Sequence, residues 1–263
     1  MSISIIVPII IGWLGGYLVN YLADVLPVTR RFSQPVCARC DSHFGWKNYL
    51  LLGSCENGHP RKVRTWITQF GMVFLSVYVW LNPPLKIPYT LGFILILYFG
   101  VVFVIDTEHR LILHPTSIFG AILALGFGWI KWGLKPTLIG GLGGFLIMLA
   151  FYYFGVLFTR YRTRRMLAKG QEIDDEEALG SGDVILVTIL GFLLGWPLIW
   201  FGLIFGILLG GFFSLLLLIW LVITGKYNTN AFMLFIPYGP YLITSAFLII
   251  YLPRFVQIFV PGD

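Results

Sequence analysis

The sequence predicts an all-α polytopic membrane protein with about eight transmembrane helices and a small cytoplasmic loop domain that binds zinc. Three observations support this prediction. Of the 263 residues, 58% are hydrophobic and only 11% are charged, whereas roughly 25% of the residues of a soluble domain are charged. Apolar runs long enough to cross a membrane recur along the chain. All three cysteines lie in one polar segment between the first two of these runs.

The apolar runs give the predicted spans. A helix needs about 20 apolar residues to cross the hydrocarbon core. On this criterion the spans lie at about 3–23, 66–82, 89–106, 115–131, 136–159, 183–196, 198–225 and 236–252. The first run is too long and too lightly flanked for a cleaved signal peptide. The sixth is short, so it is either continuous with its flanks or re-entrant.

The spans and the loops between them divide the chain into three parts. Residues 1–26 form the first transmembrane helix, and residues 27–65 form a cytoplasmic Cys/His loop domain. Residues 66–263 form a multi-span core with a second cytoplasmic loop at 160–182. That loop runs from basic to acidic residues, which is typical of a solvated connector.

The basic residues predict the orientation. Most of them lie in the two large loops, and positively charged loops stay in the cytoplasm. We therefore expect a membrane protein with the N-terminus outside and the two large loops in the cytoplasm. Because the basic residues are scattered between apolar runs, they indicate topology and do not indicate nucleic-acid binding; as a polytopic protein the chain contacts membrane lipids.

The cysteine segment predicts a metal site. Cys37, Cys40, Cys55 and His59 follow the pattern Cys-x2-Cys, fourteen residues, Cys-x3-His, which suits a structural tetrahedral zinc site. An odd number of cysteines argues against a disulfide framework, and bound metal would help to fold a polar loop. His43 is an alternative to His59, and free thiols in a reducing cytoplasm are the alternative to a metal site.

Two aspartates at the predicted membrane boundary are the candidates for catalysis. Asp106 ends one apolar run and Asp183 opens another. Two carboxyl groups brought together can share one proton, so that one activates a water while the other polarises a carbonyl. The alternative for Asp183 is a helix cap that interacts with the helix dipole. Asp24 and Glu108 lie at span exits, where we expect solvated side chains.

Other residues near these aspartates could support the same chemistry. Gly180 and Gly182 permit a tight turn and the close approach of an extended substrate backbone. His114 could contact substrate or influence Asp106, and the alternative is an ordinary histidine at the membrane–water boundary. The same two interpretations apply to His109.

Five segments of the chain resemble the bacterial type IV prepilin peptidase family, a family of GxGD-type intramembrane aspartic proteases. They are Gly16–Asn20 with Leu26-Pro27, the cysteine segment, Ile105–Ile112, Glu177–Val184 with Leu190-Gly191 and Leu194–Trp196, and Ile236–Tyr241. The resemblance implies that Asp106 and Asp183 are the catalytic pair. It also implies that the substrates are prepilins or pseudopilins, which are cut at the cytoplasmic membrane face just before their hydrophobic helix.

The resemblance further implies a second activity, N-methylation of the new N-terminus with S-adenosylmethionine. The sequence departs from the family pattern in three places that bear on its activities. The chain has Leu113-His114-Pro115 where the family has Leu-Pro-Asp or Leu-Pro-Asn, it lacks a fourth cysteine, and Gln69 stands where the family often has an acid. The last two departures weaken the case for methylation and leave the aspartate pair intact.

Two other functions fit a polytopic membrane protein with paired acids. An ion- or proton-coupled transporter would carry its acids near the midplane, usually with paired broken helices, and this sequence has neither feature. A non-catalytic assembly protein of a pilus or secretion machine would not need the aspartates and glycines, which are all present.

Overall fold

The computed structural model describes residues 2–37, 39–84, 86–167, 180–225 and 237–252, and these residues are mostly helical. The helices are α1 (Ser2–Thr29), α2 (Trp46–Leu50), α3 (Val63–Leu81), α4 (Tyr89–His109), α5 (His114–Trp132), α6 (Leu134–Leu167), α7 (Ser181–Leu194), α8 (Leu198–Ile223) and α9 (Gly239–Tyr251). An isolated antiparallel bridge joins Val36 to His43 in the loop between α1 and α2.

The all-helical prediction is confirmed for the described residues, because each of the eight predicted spans coincides with a helix. Four helices are long and apolar enough to cross a membrane, at Ile5–Thr29, Tyr89–His109, Leu134–Tyr161 and Leu198–Ile223. Two shorter apolar helices lie at Ser181–Leu194 and Gly239–Tyr251. The chain therefore has the helices of a membrane protein, and the count of eight spans stays a prediction.

The largest boundary difference concerns α6. This helix continues through residues 160–167, which we had assigned to a solvated connector. Arginine and leucine have high helix propensities, so the basic segment extends the helix beyond its apolar part. Residues 168–179, with the acidic half of the predicted connector, lie outside the described residues.

The chain forms two compact units, Met1–Leu111 and Ile112–Asp263. In the first unit α1 packs closely on α3. A side-chain carbon on Gly12 would lie 2.7 Å from the Cα atom of Val73. Gln69 is fully buried between these helices, where its amide donates to the Trp13 carbonyl and accepts from Asn20. Polar groups at such a position need protein partners.

In the second unit α7 packs against α6 through facing glycines. A side-chain carbon on Gly140 or on Gly191 would collide with the backbone of the other residue. On the far side of this unit, the Ser245 hydroxyl of α9 donates to the Gly202 carbonyl of α8 at 2.8 Å. The close packing of α6 on α7 fixes the position of the helix that begins beside Asp183.

Candidate functional site

Asp106 lies on the last turn of α4 and is only 5% exposed. The helix ends at Arg110, which has a left-handed backbone (φ 53°) and donates its N–H to the Asp106 carbonyl at 2.9 Å. The helix dipole does not favour a carboxylate at this end. Helix capping therefore does not explain why an aspartate stands here.

Asp183 is the third residue of α7 and is half-buried. Its carboxylate accepts the Gly180 N–H at 3.3 Å, and its own N–H donates to the Gly180 carbonyl at 3.1 Å. This is a capping interaction at a helix N-terminus. Asp183 therefore does act as a helix cap, which is the alternative to a catalytic role. A carboxylate can accept about four hydrogen bonds, and the cap leaves acceptor capacity for a second partner.

The glycines beside Asp183 differ in their surroundings. A side-chain carbon on Gly182 would lie 3.1 Å from Cβ of Ile112, so the bare backbone permits close packing there. Gly180 is exposed, and the nearest atoms to such a carbon would be 3.8 Å or more away. A side-chain carbon on Gly180 would therefore make only ordinary contact with the Asp183 carboxylate among the described residues. His114 is exposed at the start of α5.

The predicted metal ligands come together in the first unit. The ligand atoms of Cys37, Cys40, Cys55 and His59 all lie within 4.8 Å of one another. The Sγ atoms of Cys40 and Cys55 are 3.7 Å apart, and Sγ of Cys55 is 3.4 Å from Nδ1 of His59. Ligands about 2.3 Å (sulfur) and 2.0 Å (nitrogen) from a tetrahedral zinc would be about 3.8 Å and 3.5 Å apart. The donor set therefore fits zinc, which would here be structural.

The surroundings favour the thiolate form at two of the three cysteines of this site. Hydrogen bonds from Ser42 lower the pKa of Cys40 to about 5. Burial raises the pKa of Cys55, but hydrogen bonds from His59 outweigh burial and lower it overall. Burial raises the pKa of Cys37. Thiolate is the form that binds zinc, so the site is suited to a metal. His43, the alternative ligand, is exposed in the bridge with Val36 and lies outside the cluster.

An ionic cluster near the metal loop was not predicted from the sequence. Asp24 is 18% exposed and is not solvated as we expected. Its carboxylate pairs with Arg64, pairs with Arg61 at 3.3 Å, and accepts the Tyr49 hydroxyl at 2.8 Å. The three partners lie 25 to 40 positions away in sequence, which is why local pattern did not reveal them.

Glu108 is the second acid in this cluster, and the expectation of a solvated side chain was wrong here too. Its Oε1 atom lies 3.4 Å from Nε of Arg64 and 3.5 Å from Nζ of Lys62. A pocket of about 180 Å³ borders the cluster and also includes Arg39 and Asp41. Acids and bases are nearly balanced in its lining, so the pocket does not select a ligand of either charge.

The segment from residue 93 to residue 215 matches the model of the type IV leader peptidase family. The match covers slightly less than half of the chain and supports assignment to this family. The matched segment runs from α4 into α8 and holds Asp106, Asp183, Gly180, Gly182 and His114, whereas residues 27–65 precede it. No curated protein and no solved structure matches the chain. The family predicted from the residues is confirmed, and it indicates that the protein is a peptidase.

Proposed function

We propose that this type IV leader peptidase is a membrane aspartic endopeptidase with Asp106 and Asp183 as its catalytic pair. One observation carries the proposal: the family-matched segment holds two aspartates at the ends of apolar helices, of which one is buried and the other is half-buried and follows Gly180 and Gly182. The proposed substrates are type IV prepilins or pseudopilins, which lose their leader peptide.

The chemistry needs only the two carboxyl groups and a water. The ionised carboxylate accepts a proton from the water, and the oxygen of that water bonds to the carbonyl carbon of the scissile peptide. The protonated carboxyl group donates a hydrogen bond to the carbonyl oxygen and stabilises the tetrahedral intermediate. The carbon–nitrogen bond then breaks, and the nitrogen takes up a proton from the pair. The products are the leader carboxylate and a new N-terminal amine.

The orientation follows from the basic loops. If residues 27–65 and the end of α6 face the cytoplasm of a bacterial inner membrane, the C-terminal end of α4 and the N-terminal end of α7 face it as well. An extended substrate backbone would approach Asp183 beside Gly180, which is exposed and has no side chain. The metal loop would serve this enzyme as a folded element, with zinc as a structural ion.

We do not extend the proposal to methylation. Gln69 stands where the family often has an acid, and its amide is fully buried in hydrogen bonds to Trp13 and Asn20. It offers no charge to S-adenosylmethionine. The departures in the sequence and the burial of this side chain therefore give methylation no support.

The test is cleavage of a prepilin by membranes that contain Asp106→Asn or Asp183→Asn. Each substitution keeps the size of the side chain and removes acid–base function, which contributes about 100-fold to 10,000-fold, so we expect processing to fall by at least about 100-fold. Asp41→Asn is the matched control, because Asp41 is exposed and its left-handed backbone (φ 54°) also suits asparagine. Undiminished processing by both Asn variants would refute the proposal.

A further inference from the structure

The metal loop rests on a buried aromatic cluster. Cys37 and Cys55 pack with Phe44 and Tyr49 in one core. Tyr49 is 2% exposed, and its ring lies 5.8 Å from that of Phe44 in an edge-to-face arrangement. The order of these rings therefore depends on the same segment that carries the metal ligands.

Arg61 connects this core to α1. It follows the ligand His59 by two residues, and its guanidinium lies 3.8 Å from the centre of the Tyr49 ring and 4.5 Å from that of Phe44. It also donates to the Tyr49 carbonyl at 3.2 Å and pairs with Asp24. The side chain is 6% exposed, so a displaced aromatic core would leave a buried cation without its stacking partners.

Arg64 connects α1 to α4. It lies in the first turn of α3 and contacts the carboxylates of both Asp24 and Glu108. Its guanidinium donates a hydrogen bond to Asp24, and its Nε forms an ion pair with Glu108 at 3.4 Å without a hydrogen bond. Lys62 also reaches Glu108, but its side chain is 55% exposed, and exposed ion pairs contribute little. Arg64 is thus the main connection.

Glu108 stands two residues beyond Asp106, on the same final turn of α4. That turn is closed by the Arg110 N–H that donates to the Asp106 carbonyl. A contact that fixes Glu108 therefore fixes the backbone on which Asp106 is carried. A misplacement of about 1 Å can lower a rate about 100-fold, so the position of this turn matters for catalysis.

We propose that Arg64 and Glu108 are positioning residues for Asp106. Arg61 and Asp24 join this pair to the metal loop, so that metal binding supports peptide cleavage. This inference rests on the proposed function, because it concerns the position of one of the two catalytic carboxyl groups. The metal loop then supports catalysis, although the metal takes no part in the chemical reaction.

The first test compares Arg64→Gln with the wild-type full-length protein in detergent. We expect kcat to fall about tenfold or more, with KM nearly unchanged and zinc still bound. Hydrogen exchange of the peptide 103–112 should become faster, because the last turn of α4 is less constrained. Arg64→Lys should recover part of kcat, since it keeps the charge and loses the planar guanidinium. Lys47→Gln, an exposed change in the same loop, should match the wild type.

The second test asks whether the metal acts through this network. In the wild type, removal of zinc with a chelator should lower kcat and make hydrogen exchange of the peptide 103–112 faster. In Arg64→Gln, removal of zinc should change kcat and exchange little further, because coupled changes are not additive. If the fold-changes in kcat from chelation and from the substitution multiply, the inference is overturned. Unchanged kcat and unchanged exchange in Arg64→Gln would overturn it as well. If that variant does not fold, Glu108→Gln gives the same test and leaves the pairs of Asp24 intact.

The results would be different if the proposed peptidase function itself were wrong. In that case the wild type does not cut prepilin, or Asp106→Asn cuts it undiminished. The exchange measurement and the zinc content would then still decide the structural half of the inference. Unaltered exchange after chelation and in both variants would show that the network does not hold the end of α4.

Discussion

Replacing Gly12 by alanine is expected to push α1 away from α3. A side-chain carbon at this position would lie 2.7 Å from the Cα atom of Val73, 2.8 Å from Cβ of Ser76 and 2.9 Å from the carbonyl oxygen of Met72. Two of these atoms belong to the backbone, so rotation of a side chain cannot relieve the overlap. The two helices must separate instead.

The size of the effect follows from these distances. Ordinary contact begins near 3.4 Å, so the helices must separate by about 0.5 to 0.7 Å, and gaps of about 0.5 to 1 Å forfeit roughly a quarter to a half of the dispersion energy between facing atoms. Overpacking of a well-packed interior costs about 1 to 3 kcal/mol. Alanine also gains about 0.8 to 1 kcal/mol of helix propensity over glycine, which offsets part of this cost.

The assay is the free energy of unfolding in detergent, with Gly71→Ala as the matched control. Gly71 lies on α3, and among the described residues no atom apart from its chain neighbours and the backbone of its own helix comes within 4 Å of the added carbon. Both variants gain the same helix propensity, so the difference between them isolates the packing cost. We expect Gly12→Ala to be less stable than Gly71→Ala by about 1 to 3 kcal/mol. Equal stability of the two variants would refute this reasoning.

Two further predictions concern the glycine beside the catalytic aspartate and the metal ligands. Gly182→Ala brings a carbon within 3.1 Å of Cβ of Ile112, so we expect reduced prepilin cleavage, and the double variant with Ile112→Gly, which removes that Cβ, should recover it; a double variant as impaired as the single one would contradict the steric explanation. Cys55→Ser should abolish stoichiometric zinc binding in metal analysis of the purified protein, because it removes a buried ligand, whereas His43→Ala should retain it. Loss of zinc in the His43 variant would show that the ligand set is wrong.

The positions of the helices could be predicted because the apolar runs that cross a membrane are long and their ends are marked by charge. Two apolar helices, at Ser181–Leu194 and Gly239–Tyr251, are shorter than a full span. The same criterion ends the fifth span at 159, close to the end of the apolar span at Tyr161, whereas the helix itself continues to Leu167. Arginine-rich sequence continues a helix well after the apolar part has ended.

The candidate site could be predicted only in part. The spacing of Cys55 and His59 predicted the histidine that lies with the three cysteines. The Cys55 N–H donates to the His59 carbonyl at 3.1 Å and closes the turn between them. The partners of Asp24 and Glu108 could not be predicted in this way. These contacts form only when the loop folds and brings residues distant in sequence next to the ends of the helices. No local sequence pattern indicates them.

Arg61 and Arg64 have two roles, because they contribute to the predicted orientation and are paired with acids in the fold. These roles do not conflict. The positive-inside rule acts while the chain inserts and counts lysine and arginine, with little contribution from acids. Arg30 and Arg31 remain exposed at the end of α1, so the loop keeps exposed positive charge after folding. If the loop faces the cytoplasm, as we propose, Arg61 and Arg64 would help to retain it there during insertion and would afterwards connect it to the end of α4.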